Sequence, residues 1–122
     1  MSASVSAEQS SATEAVNEVR LVGRVSQQPE ERVLPSGDSV WSFRVVVPRP
    51  EPRAGSRAQV DAVDCCVWSG RVRRSVASWH VDDVVEVNGS VRRRFFRTVQ
   101  GAASRFEVEV TAGRLIRRAA SA

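Results

Sequence analysis

The chain has 122 residues, a hydrophobic content of 42% and a formal net charge of +4, with eighteen arginines and no lysine. A single domain of this length can bury an adequate core without disulfide or metal staples, and no run approaches the ~20 apolar residues that a membrane-spanning helix needs. The ionisable side chains of residues 1–16 are Glu8 and Glu14, so the remainder carries +6, a balance that points to nucleic acid, an acidic partner or an anionic membrane surface.

Residues 1–15, "MSASVSAEQSSATEA", are rich in Ser, Ala and Glu without useful periodicity and read as a disordered N-terminal arm. They have neither a basic n-region nor an apolar h-region, so a secretory signal is not expected. In "NEVRLVGRVSQ" the side chains Val19, Leu21, Gly23 and Val25 alternate with Arg20, Val22 and Arg24, the period of a strand, with glycine marking a bend or a close approach. "LPSGDS", 34–39, is a turn. "VWSFRVVV", 40–47, is a second strand that places Trp41, Phe43, Val45 and Val47 on one face and Arg44 on the other. "PRPEPRAGSR", 48–57, contains three prolines and is a loop.

"AVDCCVW", 62–68, alternates again, with Val63, Cys65 and Val67 opposite Asp64, Cys66 and Trp68. The adjacent cysteines point to opposite faces, so a disulfide between them is not expected and a reduced, cytoplasmic setting fits. In 69–80, Val72, Val76 and Trp79 form the i, i+4, i+7 stripe of a short helix. "VVEVNGSVRRRFF", 84–96, is a long strand. Val85, Val87, Gly89 and Val91 face inward, and Glu86, Asn88, Ser90, Arg92, Arg94 and Phe96 face out. "TVQGAAS", 98–104, reads as a hairpin loop flanked by Arg97 and Arg105, and "RFEVEVTAGRLI", 105–116, as the last strand with Phe106, Val108 and Val110 inward.

The fold class expected is all-β. Three strands, a short helix and two strands follow the order of a five-stranded OB-fold Greek-key barrel with its helix between strands three and four. The domain spans 16–118 and leaves a short tail, 119–122. Trp41, Phe43, Trp79 and Phe106 read as core, and Phe95, on the valine side of its strand, as buried or packed at the hairpin tip. Catalysis is not expected: the single histidine, His80, lacks metal-ligand spacing to Cys65 and Cys66, no glycine-rich phosphate loop is present, and no cofactor or metal is called for.

"NEVRLVGRV", "PSG", "VWSFRVVV", "DCCVWSG", "VVEVNGSVRRRFF" and "RFEVEV" together resemble the bacterial single-stranded DNA-binding proteins, the SSB family, from about Asn17 to Arg118. The resemblance implies a binding protein that wraps single strands over aromatic and basic residues in replication, recombination or repair, and that assembles as a homo-oligomer, tetramer or dimer. By position, the family's stacking rings fall on Trp68 and Phe96, and its basic positions on Arg92 and Arg94. A further family ring falls on Ala62, and the 48–57 loop has none. The family's acidic-tipped C-terminal tail has no counterpart in "IRRAASA", so recruitment of protein partners by such a tail is not expected.

Strand parity yields the same site independently. Phe96 shares a face with Arg92 and Arg94, which suits a base stacking on the ring while arginine neutralises phosphate; its alternative is packing on an oligomer neighbour or the hairpin tip. The wider interface expected is Arg20, Arg24 and Arg44 on the polar strand faces, Arg71 at the helix start, and Arg97 and Arg105 beside the last loop. Other readings of the same residues are an RNA-binding or primosome-type OB module, and a protein-interaction OB domain.

Overall fold

A computed structural model describes residues 14–51, 54–55, 57–68 and 70–120; the arm expected over 1–15 lies almost wholly outside them. Among the described residues, five strands and one helix follow the expected order: β1 (Val19–Val33), β2 (Ser39–Pro48), β3 (Val60–Val67), α1 (Gly70–Ala77), β4 (Val84–Thr98) and β5 (Gly101–Arg117). They close into a barrel in the order β1-β2-β3-β5-β4, antiparallel except for the short β3–β5 contact. The architecture is the OB-fold.

β1 closes the barrel by serving two partners. Its first half pairs with β4 from Val19–Gly89 to Arg24–Val84, and its second half pairs with β2 from Arg24–Val46 to Val33–Ser39. Gly23 sits where the strand changes partner, and a Cβ there would collide with the Val46 carbonyl oxygen. The glycine therefore marks a close backbone approach, as its place in the alternation implied.

Alternation then fills the interior. Val25, Phe43, Val45, Cys65, Val67, Val85, Val87, Val108 and Val110 line the barrel, and Val72, Val76 and Trp79 cap one end. Phe43 and Trp79 meet edge to face with ring centroids 5.5 Å apart, the preferred arrangement for aromatic quadrupoles. Trp41 is half-buried against the same cluster. Asp83, 1% exposed, ties the capped end together. Its carboxylate accepts from the backbone N–H groups of His80 (2.9 Å) and Ala119 (2.8 Å) and from the Arg118 guanidinium (2.9 Å). Burial opposes ionisation of Asp83, but these donors outweigh it and hold the carboxyl below its ordinary value.

Three expectations change at the far end of β4 and β5. The loop expected over 98–104 shrinks to the two residues Val99 and Gln100, with Thr98 paired to Gly101 and β5 running from Gly101. Gly101 takes φ +124°, open to glycine alone at little cost, so the strands pair to the tip. The resulting hairpin outruns the barrel. Core contact on its inward side ends at Val108, 3% exposed, and the following inward positions have nothing above them among the described residues. Phe106, expected in the core, is 62% exposed, and Phe95, expected buried or tip-packed, is 74% exposed.

Candidate nucleic-acid interface

The hairpin register places the outward side chains of β4 opposite those of β5: Arg92 faces Glu107, Arg94 faces Arg105, and Phe96 faces Ala103. β3 brings Cys66 and Trp68 alongside through its contact with Val108 and Glu109. Asn17 braces the hairpin's base. Its amide donates to the Val91 carbonyl and accepts from the Val91 N–H, both at 2.8 Å, replacing a missing ladder pair with a side chain.

Glu107 is the hinge of the cluster. It is buried, accepts from Arg94 Nε at 2.8 Å and from the Cys66 thiol at 3.1 Å, and lies 3.9 Å from Arg105 Nε. The carboxylate holds the Arg94 guanidinium 5.6 Å from the Trp68 ring centroid, and Arg105 lies 5.7 Å from that of Phe96. Two rings therefore each carry a guanidinium within cation–π range. Arg92 pairs with Glu109 at 3.0 Å. An open groove covers this strip, lined by Cys66, Trp68, Glu107, Glu109 and β4 residues Arg92 to Phe95.

The electrostatics divide these arginines into two kinds. Arg92–Glu109 is largely exposed, and such pairs contribute only about 0–1 kcal/mol, so the pair opens at little cost. Arg94–Glu107 is more enclosed, with the carboxylate side chain 5% exposed; hydrogen bonding to Glu107 raises the Arg94 pKa. Arg94 is thus fixed as a flat platform beside Trp68. The Cys66 thiol is pushed up to about 12, first by burial and then by its bond to Glu107. Burial likewise pushes Cys65 to about 12. Both thiols are free and protonated near neutral pH, a poor state for nucleophilic chemistry.

Of the ten residues anticipated, Trp68, Arg92, Arg94, Phe96 and Arg105 come together in this strip. Arg44 shares the outer face and pairs with Asp64 across β2–β3 at 2.9 Å, which accounts for an acid that otherwise interrupts a basic field. Arg20 pairs with Glu86, six residues before Arg92 on β4 and about 20 Å away along the strand. Arg24 pairs with Asp82 at the barrel end opposite the hairpin tip. Arg71 and Arg97 are exposed, without an ion pair among the described residues, and Arg97 points to the reverse face of the hairpin. One groove collecting all ten is therefore not what forms. On α1 it is Arg73, not Arg71, that lines a concavity with Trp68, where it donates to Ser39 Oγ at 2.6 Å. Glu107 and Arg73 lie outside the ten anticipated residues. Alternation in "RFEVEV" already places Glu107 on the face of Arg105, but matching it to Arg94 requires the true turn length.

The closed five-stranded barrel with its helix between β3 and β4 defines the class of OB-fold proteins. The Single-strand binding protein family matches residues 16–117 of the chain, and the chain belongs to that family, one of binding proteins rather than enzymes. It is 28% identical over 86 residues to a single-stranded DNA-binding protein of Oceanobacillus iheyensis, covering 70% of this chain and 53% of the relative. It is 27% identical over 86 residues to single-stranded DNA-binding protein A of Bacillus subtilis, covering 70% and 50%. The chain thus spans about half the length of the curated relatives it matches. The fold is shared with a solved Plasmodium falciparum SSB complex with ssDNA, at TM-score 0.68 and 22% identity over 84% of this chain and 95% of that one.

Proposed function

We propose that the protein binds single-stranded DNA with little sequence preference, in replication, recombination or repair, through the outer face of the β4–β5 hairpin and the adjoining end of β3. The observation that carries this reading is the continuous strip in which Trp68 and Phe96 each lie beside a guanidinium, of Arg94 and Arg105 respectively. Bases stack on the rings, and every base offers a π face, so the contact tolerates sequence. Arg92 and Arg44 meet phosphates along the strand, exchanging a carboxylate for a phosphate as they do so.

Self-association as a dimer or tetramer belongs to the same reading. It is supported by family membership and by apolar side chains such as Val22 on β1 and Ile116 on β5, 38% and 42% exposed, that a second copy would cover. The free cysteines suit a reducing cytoplasm.

The test is a tryptophan-fluorescence titration with oligo(dT), with duplex DNA and oligo(U) as competitors. Quenching by oligo(dT) that duplex fails to reverse is expected. Absence of binding at low salt defeats the proposal, and preferential displacement by oligo(U) reassigns the strip to RNA.

A further inference from the structure

β4 leaves part of one edge open. On the β1 side its pairing ends at Gly89, while on the β5 side it runs on to Thr98. An antiparallel strand turns the N–H and C=O groups of alternate residues to alternate edges, and two observations fix the alternation here. The two-residue turn makes Thr98–Gly101 the bonded pair that closes the hairpin, and no register shift separates it from Val91–Val108. Val91, at the other parity, gives its N–H and C=O to the Asn17 carboxamide on the β1 side, both at 2.8 Å. The N–H and C=O groups of Arg93, Phe95 and Arg97 therefore face this same edge, and no strand meets them among the described residues.

Such an edge is a template for a further strand, and its charge selects the occupant. From Val91 to Thr98 the strand carries four arginines and no acid. Arg93 and Arg97 have no carboxylate partner among the described residues; Arg93 donates to Ser104 Oγ at 3.1 Å. A second copy pairing through the same edge would set arginine against arginine, which is destabilising. A polynucleotide backbone offers acceptor oxygens but not the N–H donors that the open carbonyls need. An extended peptide supplies donors and acceptors at the strand's own spacing, and carboxylates on it match the arginines.

We propose that the β4 edge from Arg93 to Arg97 takes up an extended acidic segment of a partner protein as an added antiparallel strand. Acidic residues of that segment stand opposite Arg93 and Arg97, and an apolar residue stands opposite Phe95. The contact is made by backbone atoms at the edge of the sheet rather than by its ring-bearing faces, and it does not depend on the single-strand reading above.

The test combines the full chain with the capped peptide acetyl-Thr-Glu-Thr-Val-Thr-Glu-Thr-amide and follows amide hydrogen exchange by NMR. The amides of Arg93, Phe95 and Arg97 are expected to exchange readily in the chain alone and to slow severalfold with peptide. Those of Arg92, Arg94 and Phe96, already bonded to β5, should change little. The same peptide N-methylated at its Val and two Glu nitrogens keeps its charge and loses its donors, so it should bind at least about tenfold more weakly. Phe95→Pro removes an edge N–H that β5 does not use, and should weaken the unmodified peptide similarly. Equal binding of the two peptides overturns the proposal, since charge alone then holds them. Failure of the unmodified peptide to bind overturns it too. So does slow exchange of the three amides in the chain alone, which would mean that a second copy or another part of the chain already covers the edge. Equal slowing of the same amides by oligo(dT) reassigns the edge to nucleic acid.

Discussion

The barrel body and the hairpin that leaves it are built from the same two strands, yet they put identical alternation to different use. Below Val108 the inward side chains of β4 and β5 include Val85, Val87 and Val110, shut from water; beyond it they are Arg93, Phe95 and Phe106, all in contact with solvent. Periodicity determines which way a side chain points, but burial depends on whether another layer stands opposite. In the body that layer is the rest of the barrel, and over the hairpin none stands among the described residues.

This contrast predicts separable effects on stability and binding. Trp79, 1% exposed and in contact with Phe43, belongs to the body. Trp79→Ala should cost about 3–5 kcal/mol and lower the melting temperature by roughly 10 °C or more, measured by circular dichroism. Phe95→Ala/Phe106→Ala should leave it within a few degrees; comparable losses would show that the hairpin rings are structural.

Along the proposed strip, Trp68→Ala and Phe96→Ala should each weaken oligo(dT) binding by about five- to 150-fold, the equivalent of losing ~1–3 kcal/mol of stacking, with melting little changed for Phe96→Ala. Fluorescence anisotropy with a labelled oligomer reads this directly, and an unaltered affinity in both variants would move the site elsewhere.

Acid should act on the body first. The Asp83 carboxyl is held below its ordinary value in the folded state. Its stabilisation is therefore full above about pH 4, where the unfolded chain is also ionised, and is lost as pH falls through the lower folded value. Asp83→Asn should lower stability at neutral pH and flatten its decline below about pH 4 in denaturant titrations. A decline as steep as wild type's would place the acid-sensitive group elsewhere.

The smallest effect concerns Glu107. Burial is the first cause of the raised Cys66 pKa and the bond to Glu107 the second, so Glu107→Gln in a Cys65→Ser background should bring the thiol part of the way down from about 12. Alkylation at pH 9 should then speed up severalfold. An unchanged rate would mean that burial alone sets the thiol.

Much of this molecule was legible in its sequence because the barrel is valine-rich and strictly alternating. The order of elements, the helix stripe of Val72, Val76 and Trp79, and the outward placement of Trp68, Arg94 and Phe96 all follow from period and parity. What escaped depended on pairing between strands. Reading 98–104 as a loop hid the tight Val99–Gln100 turn, and with it the register that sets Arg92 opposite Glu107 and Arg93 opposite Phe106. Parity alone also made Phe95 and Phe106 inward, without showing that the barrel ends before it reaches them. The acids Asp64 and Glu107 acquire their meaning only once Arg44 and Arg94 are seen beside them.

The central claim, that this surface grips a single-stranded polyanion, is tested most directly by the affinity for oligo(dT) as a function of salt. Each phosphate neutralised on a single strand contributes a slope of about −0.7 to log K against log salt. Three to five arginine–phosphate contacts therefore predict a slope between about −2 and −4, flattened by roughly one contact's worth in Arg92→Ala. A slope near zero, or no binding at low salt, would contradict the account.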